Sequence, residues 1–353
     1  MEADLKKQIM AALAGIRDPG LGEDLVSLDM VAGVTADAGQ ATVTIVLTAP
    51  GYPGRAQLEA DIRAALSGIP GVRSVEVTFD TLIRSGQQET LPGVKHVVTV
   101  GSGKGGVGKS TVAANLAAAL ALEGASVGLL DADIYGPSQA KMFGVEGKRL
   151  MADEEKRILP LSSHGVRVIS IANLVEDGQA LTWRGPILHG TLTQMINQTL
   201  WGELDYLLVD MPPGTGDVQL SLSQLVPVTG AVLVTTPQEV AMLDVRRAYS
   251  MLRKTHVPVL GIIENMSWYE LPDGTRDQIF GAGGAERFAE AEKIPLLGQI
   301  PVRTALREAG DSGAPLVIQE PHGASSLLFR RTARQLAARI SDQSRMTLPV
   351  MGG

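Results

Sequence analysis

The sequence predicts an α/β protein: a parallel sheet covered on both faces by helices, preceded by a smaller α+β domain. Two patterns carry this prediction. From residue 94 onward, short and uniformly apolar runs recur at Val97–Val100, Val127–Leu130, Val166–Ile171, Tyr206–Val209, Ala231–Val234 and Val259–Ile263, and helical stretches separate most of them. Strands apolar on both sides belong to parallel sheets buried between helices. Before residue 80 the pattern changes to alternation, with Val43, Ile45 and Leu47 on one face and Thr42, Thr44 and Val46 on the other. That is a strand with one covered side. The length of 353 residues agrees with two domains rather than one core.

In chain order, Asp4–Ala14 has a helical pattern and Asp18-Pro19-Gly20 breaks it. Leu25–Thr35 and Ala41–Leu47 read as strands, and Ala49–Gly54 as a Pro- and Gly-containing loop. Arg55–Leu66 is a second helix, stopped by Gly68 and Pro70, and Val72–Phe79 a third strand. The expected order for residues 1–80 is therefore α-β-β-α-β. Residues 81–93, polar and containing Gly86, Gln87, Gln88 and Pro92, form the expected linker, and 94–353 the second domain. Near the end, Leu327–Ile340 sets Phe329, Ala333, Leu336 and Ile340 on one helical face with arginines around it. That face suits a terminal helix packed on its own domain, or an amphipathic membrane anchor.

Composition narrows the function classes. Hydrophobic residues make up 44% and charged residues 20%, as in an ordinary globular protein. Aromatics are only 4% and the net charge is −7, whereas a general nucleic-acid binder is more often basic. No nucleic-acid partner is expected. No apolar run approaches the ~20 residues of a membrane span, so no membrane partner is expected either. Met1–Ile16 mixes Glu2, Asp4, Lys6 and Lys7 into its apolar residues and reads as an amphipathic helix rather than a secretory signal. The expected location is cytoplasmic. There is no cysteine, hence no disulfide and no thiolate metal ligand.

The chemistry begins after the strand Val97–Val100. Gly103-Lys104-Gly105-Gly106-Val107-Gly108-Lys109-Ser110 fits G-x-x-x-x-G-K-[ST], and Thr111–Leu122 continues as an Ala- and Leu-rich helix. Strand, Gly-rich loop and helix are the context this P-loop requires. The glycines let backbone N–H groups converge on phosphate, and the helix N-terminus adds a favourable dipole. Lys109 supplies charge to the β- and γ-phosphates, and Ser110 a hydroxyl to magnesium. Two further strands end in carboxylates, Asp131-Ala132-Asp133 and Asp210 before Met211-Pro212-Pro213-Gly214. Ligands of open α/β sheets bind beyond the carboxyl ends of strands, so these groups are expected at one Mg²⁺–ATP site. The plainer reading is that each Asp caps the following helix.

At these residues the chain resembles a known family. Lys104 within Lys-Gly-Gly-Val-Gly-Lys-Ser looks like the deviant P-loop of MinD/ParA-class ATPases. Asp131-Ala-Asp-Ile-Tyr-Gly-Pro-Ser138, Trp183-Arg-Gly-Pro186, Trp201–Tyr206, Asp210-Met-Pro-Pro-Gly-Thr-Gly-Asp217 and Glu264-Asn-Met-Ser267 are similar to the Mrp/ApbC family of iron–sulfur cluster carriers with weak ATPase activity. Residues 1–80 resemble the PaaD-like domain that many of them carry. The resemblance implies an α/β parallel-sheet P-loop NTPase domain and a homodimer that sandwiches ATP, with Lys104 reaching the neighbouring subunit's phosphates. It makes Lys104, Lys109 and Asp133 the catalytic residues, Asp133 by positioning water. Ser110, Asp131 and Asp210 form the magnesium network. The nucleotide lies along Gly103, Lys104, Gly105, Gly106, Val107, Gly108, Lys109, Ser110 and Thr111, with Asn265 on adenine and Pro301 lining its pocket. The family also implies an iron–sulfur cluster as cargo and apoproteins, or cysteine-bearing assembly factors, as partners. Members typically place Cys-x-x-Cys shortly after the Glu-Asn-Met-Ser segment. Here Leu271 and Gly274 stand in those places, and Tyr52 stands where the small domain often has a cysteine. Fe–S clusters are held overwhelmingly by Cys thiolates, so family and residues diverge at this point. The competing readings are a MinD/ParA-like positioning protein acting on membrane or DNA, and a small-molecule kinase, for which no acceptor pocket is legible.

Overall fold

The fold was analysed in a computed structural model, which describes residues 2–18, 24–28, 30–37, 39–47, 54–81, 91–174, 185–214, 228–271 and 273–346. The chain divides into two compact units: Met1–Ser85 together with Ala337–Gly353, and Gly86–Leu336.

In the first unit, helix α1 (Glu2–Leu13) is followed by strands β1 (Val31–Asp37) and β2 (Gln40–Leu47), helix α2 (Arg55–Ser67) and strand β3 (Ser74–Thr81), the predicted order. β1 and β2 are antiparallel, whereas β3 joins β2 in parallel through the α2 crossover. Ala41, Val43, Ile45 and Leu47 are buried, and so are Leu58, Ile62 and Leu66, spaced by one helical turn on α2. Each of these Val, Ile and Leu side chains contributes about 1.5–3 kcal/mol by leaving water. One expectation is corrected: the first strand starts at Val31, not at Leu25. Asp24 Oδ1 accepts from the Val26 and Ser27 amides at 3.0 and 2.9 Å, and Leu25–Leu28 becomes a turn. A short carboxylate side chain offered those amides a local partner in place of a sheet ladder. The expected loop at 49–54, Tyr52 included, lies outside the described residues except for Gly54, as do residues 82–90 of the expected linker 81–93, of which Thr81 ends β3 and Leu91 is buried.

The second unit is built on a nine-stranded sheet. Its principal strands are β4 (Val94–Gly101), β5 (Val127–Asp131), β9 (Val166–Ser170), β10 (Leu204–Asp210), β11 (Gly230–Thr235), β12 (Val259–Glu270) and β14 (Leu296–Val302). Their order is β12-β11-β4-β10-β5-β9, all parallel, and β14 also pairs in parallel with β12. Two antiparallel strands finish the edges, β8 (Leu161–Ser163) beside β9 and β13 (Arg276–Asp277) beside the end of β12. β5, β10 and β11 are buried at every residue, which explains why they read as continuous apolar runs. Helix α3 (Lys109–Leu122) is itself buried along almost its whole length, packed on β4, β5 and β10. On the helix Ala324–Met346, whose residues from Ala337 on belong to the first unit, Phe329, Ala333, Leu336 and Ile340 are all buried, in keeping with a packed face. Among the described residues no helix is long and apolar enough to cross a membrane.

Candidate nucleotide site

Parallel register brings the predicted groups to one sheet edge. Asp210 lies level with Val100 of β4 on one side and with Asp131 of β5 on the other. The phosphate loop therefore leaves its strand beside two carboxylates from neighbouring strands. Ala132 N donates to Asp210 O at 2.9 Å, Met211 N to Val100 O at 3.0 Å and Gly214 N to Ser102 O at 3.0 Å, tying the three strand ends together.

The loop itself needs glycine for two separate reasons. Gly108, at φ +78°, is the left-handed residue before α3, and a Cβ there would lie 2.3 Å from Asn265 Nδ2. At Gly103 the obstacle is backbone, because a Cβ would meet the Asp244 carbonyl carbon at 2.3 Å. The helix Glu239–Lys254 thus packs directly against the loop main chain. Lys104, Gly105 and Gly106 form the exposed crest, and Val107 turns inward.

Lys109 is buried, and its ammonium faces three oxygen groups. Nζ is 2.5 Å from Asp210 Oδ1, 3.2 Å from Ser110 Oγ and 3.7 Å from Asp133 Oδ2. A buried ammonium needs such compensation. Phosphate oxygens would replace the carboxylates as its partners, so the side chain is held ready at low cost. Burial raises the Asp133 carboxyl above its ordinary range, with Lys109 opposing the shift. Asp133 keeps some solvent access.

Asp131 is placed differently. It is fully buried, and its oxygens accept from the amides of Asp133 (3.2 Å), Ser138 (3.0 Å) and Gln139 (3.0 Å) and from Ser170 Oγ (3.0 Å). Burial, and then the Asp210 carboxylate, push its carboxyl up to about 7, while those donors favour the anion. Its visible work is to anchor the turn from 133 to 139. Asp210, Ser110 and Asp133 are the hard oxygen donors left to face Lys109. Among the described residues no three His, Asp or Glu side chains converge as a ready metal cage. Mg²⁺ usually takes one or two carboxylates and completes its shell with phosphate and water, a set to which Asp210 and Ser110 could contribute.

Beside the loop opens a cleft of about 400 Å³, lined by Gly108, Thr111, Ser138, Lys141, Met142, Asn265, Met266, Pro301, Arg303 and Arg307 among others. This is the size of a small-molecule site. Asn265 and Pro301 both border it. Asn265 Nδ2 donates to Val107 O at 2.8 Å, linking β12 to the phosphate loop. The next residue, Met266, has φ +57°, and the β12–β14 register shifts between Asn265 and Tyr269. A non-glycine residue held in that region marks local strain at a place where the strand turns its side chains toward the cleft. Sequence reading missed Arg303, Arg307 and the strand β14 that carries Pro301. It also missed Gln139, discussed below.

The segment aligned with the family cysteines is a hairpin. Glu270 and Tyr269 pair with Arg276 and Asp277, and Gly274 N donates to Leu271 O at 2.9 Å across the turn. Gly274 has φ +83°. Two of the carboxylates here are engaged: Asp273 Oδ1 accepts from Thr275 Oγ1 and N at 2.6 and 2.9 Å, which holds it below the ordinary carboxylate range, and Glu270 pairs with Arg303. Arg276 lies over the Trp268 ring at 4.2 Å.

Phosphate loop, buried lysine and strand-end carboxylates on a parallel sheet define a P-loop nucleotide-binding protein. The comparisons with known proteins go further. Residues 93–337 match the model of the NUBPL iron-transfer P-loop NTPases, and residues 6–79 that of an iron–sulfur cluster assembly protein. An iron–sulfur cluster carrier protein of Deinococcus radiodurans is 52% identical over 342 residues, covering 97% of both chains. The Escherichia coli K12 iron–sulfur cluster carrier protein is 43% identical over 95% of this chain and 92% of its own. Among solved structures, an ADP-bound nucleotide-binding protein of Archaeoglobus fulgidus covers 70% of this chain and 98% of its own at 37% identity, with a TM-score of 0.60. The septum site-determining protein MinD of Pyrococcus horikoshii, complexed with Mg-ADP, covers 67% and 94% at 26% identity, with a TM-score of 0.53. The chain belongs to the NUBPL iron-transfer P-loop NTPase family, with an N-terminal iron–sulfur assembly domain.

Proposed function

We propose that this chain is a cytoplasmic, homodimeric ATPase of slow turnover that serves iron–sulfur cluster assembly by acting on clusters held by thiolates of other proteins. The observation that carries this reading is the contrast within one unit. The Lys109–Ser110–Asp133–Asp210 constellation is complete, while the chain has no cysteine. The comparison supports it too: relatives spanning the whole chain are cluster carriers. That favours this role over membrane or DNA positioning.

The geometry supports a reaction of the following kind. The loop amides and the α3 N-terminus bind the phosphates, and Lys109 leaves its carboxylate partners to meet the β- and γ-phosphates. Ser110 and Asp210 would hold magnesium, which spreads charge off the phosphate oxygens as the terminal bond breaks. Asp133 orients a water toward the γ-phosphorus. The water oxygen forms the new P–O bond, the β–γ bridge breaks toward ADP, and the released proton passes to Asp133 and then to solvent. Asn265, Pro301 and Thr111 place the adenosine in the cleft. Lys104 stands exposed on the loop and makes no ion pair among the described residues, suiting it to a second subunit's phosphates.

The cargo does not fit residues of this chain. A sulfide cluster needs soft thiolates, and the hairpin offers an apolar side chain and a glycine where they would stand. The test is anaerobic reconstitution with iron and sulfide, followed by desalting and iron and sulfide analysis. The expected result is no stoichiometric cluster with ATP hydrolysis intact. A retained cluster at about one per dimer, as a family carrier with thiolates would show, would sink this reading.

A further inference from the structure

We propose that Gln139 is a positioning residue for the magnesium–ATP site, holding the Asp210 carboxylate in place against the Ser110 main chain. The inference rests on the magnesium–ATP reading above. Gln139 is fully buried at the start of the short helix α4 (Gln139–Met142). Its Nε2 donates to Asp210 Oδ2 at 2.8 Å and to Ser110 O at 3.0 Å. Both facing atoms are acceptors, so the amide orientation is dictated: the NH₂ group must point at them. Its own backbone N–H is held by Asp131 Oδ2, which explains why Asp131 spends its oxygens on donors of the 133–139 turn.

This arrangement divides the two Asp210 oxygens between two partners. Oδ1 faces Lys109 and Oδ2 faces Gln139. When Lys109 turns to phosphate, Gln139 remains the one described side chain bonded to Asp210. The carboxylate then keeps its orientation and presents Oδ1 outward. Gln139 Oε1 has no partner among the described residues and is buried. An orphaned acceptor in such a place costs free energy unless a donor arrives, and a water ligated by magnesium is such a donor. Lys141 and Met142 of the same helix line the nucleotide cleft, so one short element spans the metal and base sides of the site.

The test compares the full-length chain with Gln139→Met, which fills the space without donor or acceptor, and Gln139→Ala. ATP is titrated calorimetrically with magnesium and with EDTA, and the ratio of the two dissociation constants measures the metal's contribution. Mn²⁺ electron paramagnetic resonance on the ATP complex reads the metal directly, and thermal melting checks the fold. In whichever variant melts near the wild type, metal-free ATP affinity should stay within about twofold. The magnesium enhancement should fall about tenfold, the usual effect of removing a group that orients a metal ligand, with weakened Mn²⁺ retention. An undiminished enhancement in a folded variant would overturn the proposal alone. Loss of both affinities together with a large drop in melting temperature in both variants would also overturn it, since that is a folding role. No magnesium enhancement in the wild type would overturn the magnesium–ATP reading itself, and this inference with it.

Discussion

Two ends of the same sheet behave oppositely. At the ends of β4, β5 and β10, Lys109, Asp131, Asp210 and Gln139 are buried and bonded to distant parts of the chain: Lys109 bonds across 101 residues to Asp210, and Gln139 across 71. At the end of β12, the described turn residues Leu271, Asp273 and Gly274 are exposed and their bonds run between residues two to four apart, with Glu270–Arg303 beside them as a longer tie. The first site is over-determined by tertiary structure. The second is a local turn whose residues can change without disturbing the core. On the function proposed above, the first region serves ATP through this chain's own residues, and the second leaves the cluster to another protein's thiolates.

The sharpest way to break the comparison is at the phosphate loop. Lys109→Ala removes the buried charge that meets the phosphates and leaves Asp210 and Asp133 facing each other. ATP affinity should fall by about a hundredfold or more, a cost in line with an unpaired buried charge. Asp133→Ala should keep affinity within about threefold and slow phosphate release by about a hundredfold, because water positioning acts in the transition state. Calorimetry and a phosphate-release assay separate the two, and unchanged affinity in Lys109→Ala would refute the loop assignment.

A smaller effect is expected at the exposed crest. Lys104→Ala should leave binding by the single subunit within about threefold but weaken association driven by a non-hydrolysable ATP analogue by about tenfold. Light scattering reads this directly. Equal dimerisation by wild type and variant would remove Lys104 from the partner's site.

The smallest effect is expected at the hairpin, and it sharpens the contrast. The double variant Leu271→Cys with Gly274→Cys restores the family's cysteine spacing. Gly274 sits at φ +83°, where a side chain costs about 1–2 kcal/mol. The variant should therefore unfold in urea only slightly earlier, keep its ATP affinity, and retain iron and sulfide after reconstitution. Loss of ATP binding would show that the hairpin and the phosphate site are not independent.

Much of this molecule was legible in its residues. The strands and helices announced themselves because burial on one or both faces writes a period of two or an unbroken apolar run. The loop from Gly103 to Ser110 was legible because phosphate recognition by backbone amides demands glycines at fixed spacing. The misread strand at Leu25 shows the limit: alternation looked like a strand, but Asp24 captured two amides first. Pro301 and Asn265 were reached only through resemblance, since nothing in their spacing places β14 beside β12.

The sequence by itself determined that a strand, a Gly-rich loop and a helix would cradle phosphate, that carboxylates would stand at two further strand ends, and that no thiolate could come from this chain. Those are properties of residue type and local spacing. Only the tertiary structure decided that β10 lies between β4 and β5, which sets Asp210 level with Asp131 and within 2.5 Å of Lys109. Only it brought Gln139 under Asp210. Strand order is set by which faces bury most apolar surface across the whole sheet. That is a sum over distant contacts, and no local pattern in the chain encodes it.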